Sequence, residues 1–62
     1  MTPEEFNKGL AVEIEGLREI VKRYRDIATM AQFVRPNVAQ EANARADEIK
    51  ASIELLKGVE ND

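Results

Sequence analysis

The side chains here that could act on a ligand are cations and carboxylates, and the pattern that stands out is a basic stripe at helical spacing. Arg18, Lys22 and Arg25 step by four and three, so on a helix they line one face, flanked by Thr29 and Gln32. Such a face suits an anion, a phosphate or a nucleic-acid backbone. The competing reading is that the charges pair along the helix: Arg18 with Glu15, Lys22 with Glu19 or Asp26, Arg23 with Glu19. Arg25 and Arg35 escape that reading, because neither has an acid three or four positions away. Arg18, Lys22, Arg25 and Arg35 are therefore the candidate contacts for an anion or an acidic partner.

Charge is also segregated over longer stretches. Residues 1–16 carry a net of −3, residues 17–36 a net of +3 and residues 37–62 a net of −3. A nucleic-acid binder usually has a basic total and aromatic platforms, whereas this chain totals −3 at pH 7. Its aromatic residues have other uses: Tyr24 falls on an apolar seam, and Phe6 and Phe33 read as contacts between copies of the chain.

Catalytic chemistry finds little to work with. The 62 residues include no His, Cys or Trp, which removes zinc fingers, thiol nucleophiles, disulfide scaffolds and imidazole acid–base catalysis. Ser52 and the threonines have only Lys as a candidate base, and Asp47 and Glu48 read as solvated helix residues. The expectation is a non-enzymatic protein with no cofactor and no metal. No apolar run approaches the roughly 18 residues of a membrane span, and Met1-Thr2-Pro3-Glu4-Glu5 is acidic where a secretory signal would be basic. The chain is read as soluble and cytoplasmic, with no membrane contact.

The elements that must position these residues are helices. With 44% hydrophobic and 34% charged residues, the chain is too apolar for charge-driven disorder. Thr2 can cap a helix, with Pro3 at the first helical position and Glu4 and Glu5 at the positive end of the dipole. From Phe6 the apolar residues Leu10, Ile14, Leu17, Val21, Tyr24, Ala28 and Ala31 alternate steps of four and three, a heptad seam. Arg35-Pro36 should end this helix. A second seam follows in Ala39, Ala42, Ala46, Ile49, Ile53 and Leu56, opened by a capping box of Asn37 with Gln40, or by Arg35 with Pro36 at the first helical position. Gly58 is placed for a left-handed cap, with Val59 as its hydrophobic contact. The fold expected is all-α, one domain over 1–62: an antiparallel two-helix hairpin with helix 1 over about 3–34, a turn at about 35–37 and helix 2 over about 38–57.

That hairpin leaves apolar surface over. Pairing the seams about Pro36 sets Ala31 beside Ala42, Ala28 beside Ala46, Tyr24 beside Ile49, Val21 beside Ile53 and Leu17 beside Leu56, and lets residues 3–15 overhang by roughly 20 Å. Phe6, Leu10, Val12 and Ile14 then lack intramolecular cover. Ile20, Ile27 and Val34 form a second column seven apart, with Met30 and Phe33 close by, and helix 2 offers no matching column. The expected oligomer interface is Phe6, Leu10, Ile14, Ile20, Ile27, Met30, Phe33 and Val34, building a homodimeric four-helix bundle or a higher homo-oligomer.

In length and two-helix layout the chain is similar to the plasmid-encoded Rop-type hairpins, which dimerise into four-helix bundles and bind RNA. No motif carries that likeness. Phe6-Asn7-Lys8-Gly9-Leu10 through Leu17-Arg18-Glu19-Ile20-Val21-Lys22-Arg23 resembles the first helix of small exonuclease VII subunits, over less than a third of the chain. Neither likeness assigns a family. The expected function is that of a small homo-oligomeric regulatory protein, of a kind frequent among phage and mobile-element products. It would bind a macromolecular partner, a protein, as an inhibitor, adaptor or assembly factor. The alternative is a binder of a nucleotide or RNA loop through arginines gathered at the oligomer interface.

Overall fold

The computed structural model describes residues 1–60, and among these the secondary structure is two helices, α1 over Pro3–Ala31 and α2 over Pro36–Glu60, packed as a hairpin. The rod they form measures 49 × 15 × 12 Å. Its N-terminal cap forms as the residues dictate: the Glu5 amide donates to the Thr2 hydroxyl at 3.1 Å and the Thr2 amide to the Glu5 carboxylate at 3.3 Å.

Helix 1 ends at Ala31, three residues before the expected boundary. The reason lies in which amide is missing. Pro36 has no N–H to offer the carbonyl four residues back, Gln32, so the last donor available is the Arg35 amide, which reaches the Ala31 carbonyl at 2.8 Å. The Val34 amide shares that carbonyl at 3.1 Å and tightens the turn. The turn is thus 32–35 rather than 35–37. Helix 2 then opens on Pro36 itself, with the Arg35 carbonyl accepting from Val38 and Ala39 at 2.9 and 3.1 Å. Of the two possible starts for helix 2, the chain uses the one on proline, and Asn37 makes no capping hydrogen bond among the described residues.

The far end of α2 is also corrected. Gly58 adopts no positive φ, and the helix runs through it and Val59 to Glu60 instead of stopping at 57. A helical glycine costs about 1 kcal/mol relative to alanine, a penalty the added apolar cover can offset. The earlier turn slides the register by nearly one helical turn, and the longer α2 reaches further along α1. Ala28, expected beside Ala46, shares a cluster with Ala39 and Ala42, against which Tyr24 and Ala31 pack. Ile14, expected bare, is 5% exposed because α2 now reaches it, and Leu10 is half-buried. Residues 1–9 are all exposed at that end, with Phe6 at 46%, and Val12 is exposed as expected.

The seam grades from small to large. Ala28, Ala39, Ala42 and Ala46 are buried toward the turn, Ile14 and Ile53 away from it. Alanine layers let helix axes approach to the lower end of the usual 8–10 Å range, which a four-residue connection requires. This narrow seam divides the rod into two flanks.

Candidate functional site

On one flank the residues beside the seam are polar, and they meet across it. Arg25 of α1 reaches α2 with both ends of its guanidinium, Nη1 to Asn43 Oδ1 at 2.8 Å and Nη2 to Asp47 Oδ1 at 2.7 Å. Asn43 and Asp47 stand four apart, so they lie on one face of α2 at a spacing a planar fork can span. Arg25, which has no acid three or four positions away on its own helix, finds its partner in Asp47 of the other. Intrahelical spacing could not reveal a partner 22 residues away. Conversely, the local pairs expected for Arg18, Lys22 and Arg23 are not formed among the described residues, whose ion pairs are Arg25–Asp47, Arg45–Glu41 and Lys57–Glu54. Solvated pairs of that kind gain little and cost side-chain entropy.

The Arg25 bridge splits the flank into two hollows. The larger, about 240 Å³, is lined by Arg18, Val21, Arg25, Lys50, Ile53, Glu54 and Lys57. The smaller, about 160 Å³, includes Thr29 and Gln32, the residues expected to flank the basic stripe. Thr29 is not free there, since its hydroxyl donates to the Arg25 carbonyl at 3.0 Å. Of the four candidate cations, Arg18 and Arg25 share the larger hollow, Lys22 is exposed and lines neither hollow, and Arg35 is exposed at the turn. The stripe does not act as one group. Lys50 and Lys57, which join Arg18 and Arg25, were passed over in the sequence. A signal for them existed: Asn43, Lys50 and Lys57 recur every seven residues beside the α2 seam, in the column that faces Arg18 and Arg25 when two heptad helices run antiparallel.

The other flank is apolar. Ile20 and Ile27 lie beside the α1 seam opposite Arg18 and Arg25, each 39% exposed, and form a shallow groove with Arg23 and Tyr24. Phe6 lies two heptads further toward the N-terminus in the same column, past Glu13, and Val38 and Val59 supply the two ends of the facing column on α2. Between them α2 presents Arg45 and Ser52. Met30, Phe33 and Val34 are open near the turn, with Phe33 at 88% exposure, and Leu55 is open on α2. Of the eight residues expected to await another copy, Ile14 belongs to the hairpin's own seam, Leu10 is partly covered, and the remaining six are exposed.

Among the described residues no group of three or more acidic side chains could hold a metal ion, and no helix is long and apolar enough to cross a membrane. Compared with known proteins, the chain matches no family model, no curated protein and no solved structure. The chemistry of the two flanks is what speaks for function.

Proposed function

We propose that this chain is a non-enzymatic, homo-oligomeric helical protein that binds a macromolecular partner, a protein, as an inhibitor, adaptor or assembly factor. The observation that carries the reading is the collection of exposed apolar side chains along one flank, Phe6, Ile20, Ile27, Val38 and Val59, against a seam containing few large buried side chains. Apolar surface of this extent on so small a chain is stabilised by removal from water, and a second copy is the occupant that the flank itself suits.

Charge supports that occupant. Arg23 and Arg45 border the apolar column together with Glu13, Glu41 and Glu48, so a two-fold related copy can set unlike charges against one another. Two hairpins joined in this way make a four-helix bundle whose centre is the Ile20 and Ile27 column. The open residues near the turn, Met30, Phe33 and Val34, are then the contacts offered to the partner protein.

Analytical ultracentrifugation over a range of micromolar concentrations tests the assembly. The expected result is a dimer or larger species, and Ile27→Lys is expected to return it to a monomer with its helices retained by circular dichroism. A monomeric mass for the unaltered chain across that range would defeat the proposal. Partner binding is read by pull-down with the unaltered chain and with Phe33→Ser. Loss of a captured protein in the variant supports the turn as the contact.

A further inference from the structure

We infer that the larger hollow on the polar flank is a binding site for a small phosphomonoester with an apolar body, held chiefly by Arg18 and Lys50. Four cations surround it, two from each helix: Arg18 and Arg25, Lys50 and Lys57. Two of them are already engaged. Arg25 is bonded to Asn43 and Asp47, and Lys57 stands 3.7 Å from the Glu54 carboxylate.

Arg18 and Lys50 have no carboxylate within ion-pair distance among the described residues, although Glu15 and Glu54 are neighbours on their own helices. Arg25, seven residues on from Arg18, meets Asn43, seven residues before Lys50, so the same two columns face one another along the flank. Arg18 and Lys50 therefore border one hollow from the two helices. Glu54 also lines the hollow but is paired with Lys57, and the two remaining positive charges match a phosphomonoester, which carries about −1.5 to −2 at neutral pH. A guanidinium can grip two phosphate oxygens while an ammonium meets a third. Arg25 and Lys57 bound the hollow toward its two ends.

The floor argues for more than inorganic phosphate. Val21 and Ile53 line the hollow between the cations, so a ligand with an apolar or aromatic body gains contact there that a bare anion cannot. A volume of about 240 Å³ falls below the roughly 300–1,000 Å³ of drug-sized ligand pockets, which limits the ligand to a small molecule. The site is built within one hairpin and does not rest on self-association. It also differs from arginines gathered between protomers, because its anchors come from both helices of the same chain.

The test is a titration of the ¹⁵N-labelled full chain with phenyl phosphate and, separately, with inorganic phosphate, followed by amide chemical shifts. Phenyl phosphate is expected to give saturable shifts centred on residues 18, 21, 50 and 53, and to bind several-fold more tightly than inorganic phosphate. Arg18→Gln and Lys50→Gln are each expected to weaken binding about tenfold, the usual scale for losing a charge-assisted hydrogen bond. Arg23→Gln, on the apolar flank, is expected to change nothing. Shifts centred on residues 20, 23 and 27, or none that saturate by millimolar ligand, would overturn the site. Equal binding by the Arg18 and Lys50 variants would do the same. The shift map of the unaltered chain decides the location even if a variant folds poorly.

Discussion

The two flanks of the hairpin are built from the same heptad arithmetic and have opposite characters. On one, the residues beside the seam are Arg18, Arg25, Asn43, Lys50 and Lys57, and Arg25 bonds to Asn43 across the helices. On the other, Ile20 and Ile27 of α1 face an α2 column that is apolar only at its ends, Val38 and Val59. On the polar flank Arg25 is bonded to α2 within one chain, whereas the apolar flank leaves side chains in water that α2 does not cover. A hairpin with one polar side and one apolar side is suited to associating through the apolar side while presenting the other. The contrast also shows why buried area is scarce: α1 divides its large apolar residues between the seam and the flank, and α2 answers much of its seam with alanine.

The seam that separates the flanks offers the largest effect. Ile53, 5% exposed, serves as both core and floor of the larger hollow. Ile53→Ala is expected to cost about 2–5 kcal/mol in urea unfolding, enough to abolish both flanks together. A loss under about 1 kcal/mol would mean that the seam is not the stabilising element.

Next in size is the apolar flank itself. Ile27→Gln is expected to lower stability by about 1–2 kcal/mol and to remove any dependence of the melting temperature on protein concentration, as mass action requires for an associating chain. The matching change on the polar flank, Lys22→Gln, is expected to stay within about 0.5 kcal/mol. Equal responses would erase the distinction between the sides.

Two glycines test how far the helices run. Gly16 and Gly58 have no atom within 4 Å of where a Cβ would sit, and neither has positive φ. Alanine at either position is expected to stabilise by about 1 kcal/mol, measured by thermal unfolding. Destabilisation by Gly58→Ala would restore the left-handed cap and shorten α2.

The smallest effect belongs to the Arg25 bridge. With side chains 41% and 69% exposed, Arg25 and Asp47 are screened by solvent, so Asp47→Asn is expected to cost about 0.2–1 kcal/mol at low salt and almost nothing near ~1 M salt. Its contribution is to register. A double-mutant cycle of Arg25 and Asp47 that gave no coupling at low salt would remove the pin between the helices.

Several of these features were legible from residues alone. Thr2, Pro3 and Glu5 specify the start of α1 within a single turn, and the capping box forms there with Pro3 at the first helical position. The exposure of Ile20, Ile27, Met30, Phe33 and Val34 follows from their spacing, since a helix with two apolar columns cannot bury both against one neighbour. What the residues alone misplace depends on counting across the turn. A turn at 35–37 rather than 32–35 shifts every opposed pair, hides the contact between Arg25 and Asp47, and leaves Ile14 without cover. The hollow holding Arg18 and Lys50 escapes a linear reading for the same reason.

By itself the sequence determined the all-helical hairpin, the cap of α1, most of its seam residues and its surplus apolar column. Those depend on interactions within four residues or on periodicities of three and four, which a linear reading contains. Only the tertiary structure decided the register, the length of α2 beyond Gly58, the partner of Arg25 and which cations share a hollow. Each of these is settled by residues far apart in the chain, brought opposite one another by where Pro36 forces α1 to stop.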